Sequence, residues 1–193
     1  YPNISITNLS NSDDTVSLLK GIEQVDGIVD VHHAGTAMRF LTAYFASKKG
    51  VDIIITGSKR MQERPIRILV DALNDLGADI HYLKNKGFPP LKIIGTDLNV
   101  SSVSLDAAIS SQYISALMLI APSLKNGLII NLAGEITSVP YIKMTLNLMR
   151  KVGFSGSFNT NRIQIKATNT IDSSRLNVES DWSSASYYYS IIA

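Results

Sequence analysis

The chain has 193 residues, 45% hydrophobic and 18% charged, with a formal net charge of +2 and no cysteine. That length and apolarity exclude a disordered chain and suit one good-sized domain or two small ones. The near-neutral charge lacks the basic excess of a nucleic-acid-binding domain, and the missing cysteines exclude disulfides, thiolate catalysis and cysteine-ligated zinc.

In chain order, Asp13 and Asp14 read as helix-start or surface acids. A short strand, "GIVDVHH" (27–33), precedes an apolar helix, "AGTAMRFLTAYFAS" (34–47). The strand "VDIIITG" (51–57) follows, then the basic loop "GSKRMQERP" (57–65), which carries Lys59, Arg60 and Arg64. Pro65 is placed as the first residue of a second helix, where its missing N–H costs nothing. Ile66, Leu69, Val70, Leu73 and Leu76 form one apolar stripe of that helix, and Gly77 ends it. A strand at 91–95 closes the set.

The order then repeats. "SSVSLDA" (101–107) reads as strand, "SSQYISALMLIAPS" (110–123) as apolar helix and "LIINLAG" (128–134) as strand. A second helix follows with Pro140 at its start, Ile142, Leu146, Met149 and Val152 on one stripe, and Gly153 as its stop. The strand "RIQIKA" (162–167) completes this copy. Corresponding segments begin 76, 77 and 75 residues apart, a regularity that marks an internal repeat. Each unit is βαβαββ. The first helix of each unit is apolar nearly all round, so the expected fold is α/β, with these helices buried, sheets outside, and a solenoid-like or pseudo-threefold arrangement. Residues 175–193 read as the strand and helix that begin a third copy, Ser183-Ser184 standing where Ser110-Ser111 opened the second. Eleven residues, 183–193, are short for a stable isolated helix, so that tail is expected to be disordered or docked on another surface.

The loops that open the helices carry the chemistry. One has His33, Gly35, Thr36 and Arg39, and another has Lys59, Arg60 and Arg64. A third has Ser110, Ser111 and Gln112, and a fourth has Thr137, Ser138 and Tyr141. Hydroxyls at helix starts are ordinary caps, but capping needs no arginines. Converged at one end of the domain, these loops would suit a small ligand carrying phosphate and carboxylate. His32, His33 and His81 lack metal-ligand spacing, and no Walker or dinucleotide glycine motif is present, so neither metal nor cofactor is expected. Trp182 and Tyr187 to Tyr189 read as packing residues rather than a base-stacking platform. The longest apolar run, near Ala116 to Pro122, is far from the roughly 18 to 20 residues that span a bilayer, so no membrane partner is expected. The chain begins at Tyr1 and ends within a helix-like run, "YYYSIIA", which reads as a piece of a longer protein.

Six motifs in order, "AGTAMR", "RMQERPI", "LGADIHYLKNKGFPPLKI", "SSQYISALMLIAP", "PYIKMTLNLM" and "DWSSASYY", resemble those of 5-enolpyruvylshikimate-3-phosphate synthase. The resemblance runs from about Ser12 to the end. It implies a two-domain enzyme with three βαβαββ units per domain, and the absence of cysteine fits the reducing cytoplasm expected for it. Residues 1–177 would then be the substrate-binding domain, with 178–193 the crossover and the start of the second. It implies transfer of the enolpyruvyl group of phosphoenolpyruvate to the 5-hydroxyl of shikimate 3-phosphate, with glyphosate as a competitor. By motif, Gly35, Arg64 and Gln112 would hold phosphoenolpyruvate. Ser110, Ser111, Gln112, Ser138 and Tyr141 would hold shikimate 3-phosphate. The acid/base residues are expected outside this chain, which alone would be inactive. Three positions depart from the family pattern: His33 stands for asparagine, Phe40 for proline and Val139 for lysine. Two alternatives are UDP-N-acetylglucosamine enolpyruvyl transferase, which typically uses a cysteine that this chain lacks, and a non-catalytic domain that only binds a phosphorylated ligand.

Overall fold

The computed structural model describes residues 5–108, 110–137, 139–171, 175–178 and 182–192, with the backbone alone for 182–184. Helix α1 (Asp13–Ile22) leads into a first unit. That unit is β1 (Asp26–Asp30), α2 (Gly35–Ala46), β2 (Asp52–Thr56), α3 (Arg67–Asp75), β3 (Asp79–Tyr82) and β4 (Leu91–Ile94). The second is β5 (Ser102–Asp106), α4 (Ser111–Ile120), β6 (Leu128–Ala133), α5 (Val139–Lys151), β7 (Gly156–Asn159) and β8 (Arg162–Ile165). Helix α6 (Trp182–Ile192) comes last.

The repeat is borne out in topology. The sheets run β1-β2-β4-β3 and β5-β6-β8-β7, each with one parallel pair followed by two antiparallel ones. In β2, β4, β5, β6 and β8 burial alternates along the strand, because successive side chains point to opposite faces. In β5, Val103 and Leu105 are buried while Ser102, Ser104 and Asp106 are exposed. Each sheet therefore gives one face to the core and one to solvent. The helices fill the other side. Helix α2 buries nine residues from Gly35 to Ala46, and α4 buries seven from Tyr113 to Ile120. The two pack on each other, with α1 and α3 also against α2 and α5 against α4.

The second helices differ from expectation at one end. Gly77 and Gly153 are 76 residues apart and follow the C-caps Leu76 and Val152 in the left-handed conformation, at φ +101° and +98°. Pro65 and Pro140 are only 75 apart. Pro140 is accordingly the second residue of α5, whereas Pro65 lies outside α3, whose N-cap is Ile66. A proline pushes its predecessor out of the helical region, and Arg64 is extended at φ −88°, ψ 125°. Counted from the glycines, Ile66, Leu69, Val70 and Leu73 correspond to Ile142, Thr145, Leu146 and Met149, and all eight are buried.

The strand expected to open a third copy is not seen among the described residues. Residues 175–178 form no strand, and 179–181 lie outside the described residues. The tail is helical, as α6, rather than irregular. Its Tyr187, Tyr188, Tyr189, Ile191 and Ile192 are exposed.

Candidate functional site

A helix that follows a strand in a βαβ unit begins beside that strand's C-terminal end, so the openings of α2 and α4 and the loops before α3 and α5 belong to one edge of their sheets. Hydrogen bonds link three of these openings across the two units. Gln112 Nε2 donates to Thr36 Oγ1 at 3.2 Å, joining the first turns of α4 and α2. Tyr113 Oη donates to the Pro65 carbonyl at 2.6 Å, tying α4 to the loop that carries Arg64. Thr36 N–H donates to Asp14 Oδ1 of α1 at 3.1 Å, which satisfies one free donor at the start of α2.

Two arginines meet at Gly35. Arg39 Nη1 donates to the Gly35 carbonyl at 2.7 Å. A Cβ on residue 35 would overlap Arg64 Nη1 and lie 3.0 Å from Arg39 Nη1, so only glycine leaves the guanidinium of Arg64 against the backbone. Arg39 is 5% exposed and stacks on the Tyr113 ring, its Cζ 5.5 Å from the centroid. Its Nε is buried and has no hydrogen-bond partner among the described residues. Burial lowers the Arg39 pKa below the ordinary arginine value; Tyr113 opposes this and the charge of Arg64 adds to it. Among the described residues, ion pairs form at Lys49–Asp97, Arg67–Asp71 and Lys92–Asp52, His81 Nε2 lies 2.6 Å from Asp79 Oδ1, and none of these contacts involves Arg39, Arg60 or Arg64. The first unit thus holds guanidinium groups around Gly35 without a carboxylate to balance them. Such charges favour an anion, and a planar fork suits carboxylate or phosphate. A cavity of about 510 Å³ lined by His33, Arg60, Met61 and Arg64 opens beside them.

The remaining site residues expected from the sequence fall as follows. Ser110 caps α4, its Oγ accepting from the Gln112 N–H at 3.4 Å. Ser111 is the first residue of α4 and is half-buried. Tyr141 is exposed in the first turn of α5, and its carbonyl accepts from Thr145 Oγ1. Thr145 Oγ1 also meets Ser115 Oγ of α4 at 2.9 Å, so the opening of α5 lies along α4. Ser138 lies outside the described residues. Gly35, Arg64 and Gln112 are brought together directly or through Thr36. Asp14 and Tyr113 were not singled out for the site by sequence reasoning, because each acts on a group 22 or 48 residues away. Arg39 was visible in the motif, but nothing local signalled its burial.

Among the described residues, no three His, Asp or Glu side chains are grouped to hold a metal ion, and no helix is long and apolar enough to cross a membrane. Fold and site together define an α/β domain made of βαβαββ units, with arginines gathered at the helix openings of its first unit. The family model for EPSP synthase (3-phosphoshikimate 1-carboxyvinyltransferase) matches residues 4–193, and the chain belongs to that family. A 3-phosphoshikimate 1-carboxyvinyltransferase of Bacteroides fragilis (strain YCH46) is 50% identical over 188 residues, covering 97% of this chain and 46% of that protein. One from Shewanella amazonensis is 44% identical over 189 residues, covering 94% and 44%. The chain therefore spans a little under half the length of these relatives. An EPSP synthase structure from Acinetobacter baumannii superposes with a TM-score of 0.70 over 84% of this chain and 35% of that one; at 24% identity it supports the fold alone.

Proposed function

We propose that this chain is the substrate-binding domain of an enzyme that transfers the enolpyruvyl group of phosphoenolpyruvate to the 5-hydroxyl of shikimate 3-phosphate. The observation that carries the reading is the pair Arg39 and Arg64 on Gly35, two cations with no described carboxylate partner, in a chain of this family. Arg64 clamps the phosphoenolpyruvate carboxylate, with the Gly35 backbone and Gln112 beside it. Ser110, Ser111 and Ser138 take the phosphate of shikimate 3-phosphate, Gln112 contacts both substrates, and Tyr141 packs on the shikimate ring. The 5-hydroxyl oxygen bonds to C2 of phosphoenolpyruvate as its proton leaves and C3 gains one. The adduct then loses phosphate from C2 and a proton from C3. No residue of this chain is assigned to those proton transfers, which belong to other parts of the protein. Residues 1–177 form the domain, and 178–193 lead into the second one.

The test is the kcat/KM for phosphoenolpyruvate in the full-length enzyme. Arg64 is exposed in this structure, and Arg64→Ala should cost about 2–5 kcal/mol, as expected for truncating one partner of a hydrogen-bonded charge pair that bound substrate buries. Arg64→Lys should recover only part, because the bidentate fork is lost. An unchanged kcat/KM in Arg64→Ala overturns the assignment.

A further inference from the structure

The loops that follow β1 and β2 are laced together at a pair of residues outside the proposed substrate ligands. His32 is left-handed at φ +53°, and its N–H is held by Asp30 Oδ1 at 2.8 Å. Its carbonyl accepts the Ser58 N–H at 3.0 Å. Gly57 lets the second loop come this close, since a Cβ there would lie 2.7 Å from the His32 carbonyl oxygen. Two turns thus fix where the next side chains stand. Ser58 Oγ lies 2.9 Å from His33 Nδ1, and the same oxygen accepts the Met61 N–H at 3.3 Å. His33 in turn lines the cavity it shares with Arg60, Met61 and Arg64.

We propose that Ser58 is a positioning residue that holds the His33 imidazole as the Nε2–H tautomer, giving the arginine cavity a further hydrogen-bond donor for an oxyanion. The inference rests on the reading of that cavity as an anion seat. Ser58 Oγ accepts the Met61 N–H, and in this proposal its own O–H donates to Nδ1, which is then the unprotonated ring nitrogen. In a neutral imidazole the proton is then on Nε2, and that nitrogen can only donate. A serine on one loop therefore sets the polarity of a side chain on another, as second partners do for working histidines elsewhere. The donor adds directionality where the arginines supply charge, and it requires no protonated imidazole.

The chain contains three histidines, so long-range proton–nitrogen correlation spectra of the nitrogen-labelled protein can resolve each ring, with His33→Asn identifying its signals. Inorganic phosphate is the probe. His33 is expected as the Nε2–H tautomer, with Nε2 moving on phosphate addition together with the Arg64 Nε–H. Ser58→Ala should give a mixed tautomer and weaken phosphate roughly three- to tenfold, the effect of one lost hydrogen bond. Ser58→Thr, which keeps the hydroxyl, should restore both, whereas a merely structural serine would leave the tautomer unmoved. An Nδ1–H tautomer in the unaltered chain overturns the proposal. So does phosphate that moves Arg64 and leaves Nε2 unmoved, which spares the anion seat. Phosphate that moves neither overturns the anion seat and the donor role with it.

Discussion

Gly35 is the residue on which two guanidiniums converge, and its substitution separates close approach from stability. In Gly35→Ala the new Cβ meets the far ends of two flexible side chains, Arg64 Nη1 and Arg39 Nη1, rather than backbone. The fold should therefore survive, with a Tm close to that of the unaltered chain, while Arg64 is pushed aside. Phosphate or phosphoenolpyruvate affinity, measured by calorimetry, should fall about tenfold, or about 1.4 kcal/mol. Tyr82 offers the opposite case. Its hydroxyl is buried without a partner among the described residues, and its pKa is pushed from 10.0 up to about 12, first by burial and then by the charge of Asp71, with Arg67 opposing. The folded state holds the phenol neutral more strongly than the unfolded chain does. The associated stability is present below about pH 10 and is lost as pH rises toward 12. Tyr82→Phe removes an unpaired polar atom, so it should leave stability at neutral pH unchanged or raise it by about 1 kcal/mol. Urea denaturation of both proteins should also show less alkaline loss in the variant.

At the scale of elements, the two units use the same parts at a 76-residue spacing, shared by the starts of α2 and α4 and by the glycine stops Gly77 and Gly153. Leu73 of α3 and Met149 of α5 occupy equivalent positions and are 0% and 4% exposed. Replacing either with alanine leaves a cavity under a helix that covers its own sheet. Each should lower unfolding free energy by about 2–5 kcal/mol. A large loss at one position and none at the other would mean that the units are alike in topology but not in what holds them. The exceptions to the repeat sit near the site. Arg39 in α2 corresponds to Ser115 in α4 at the same spacing, and both are buried. The first unit thus buries a cation where the second buries a hydroxyl bonded to Thr145.

For the whole molecule, the decisive contact is that between α2 and α4, since it brings the openings of both units together. Tyr113 belongs to this junction twice, through its ring against Arg39 and its hydroxyl on the Pro65 carbonyl. Tyr113→Phe keeps the ring and removes the tie to the loop of Arg64. Stability should fall by about 1 kcal/mol, the usual worth of one hydrogen bond. Phosphate affinity should also fall severalfold, because Arg64 is then held less firmly. A stability loss with unchanged affinity would confine Tyr113 to packing.

The sequence by itself determined the two βαβαββ units, the apolar stripes, the glycine stops at Gly77 and Gly153, and which loops carry cations and hydroxyls. These are legible because a backbone period and a burial side are local properties, repeated every 3.6 or 2 residues. Its motifs also singled out Gly35 and Arg64 as candidate site residues. Only the tertiary structure decided that Arg39 is buried, that Asp14 reaches the start of α2, that Gln112 meets Thr36 and that Ser58 meets His33. Those partners lie 22, 76 and 25 residues apart. It likewise put Pro65 outside its helix, where its carbonyl serves Tyr113. Periodicity says which side of an element is apolar, but a polar group's partner depends on how elements pack against one another, and that is set by the fit of whole faces rather than by any neighbouring residue.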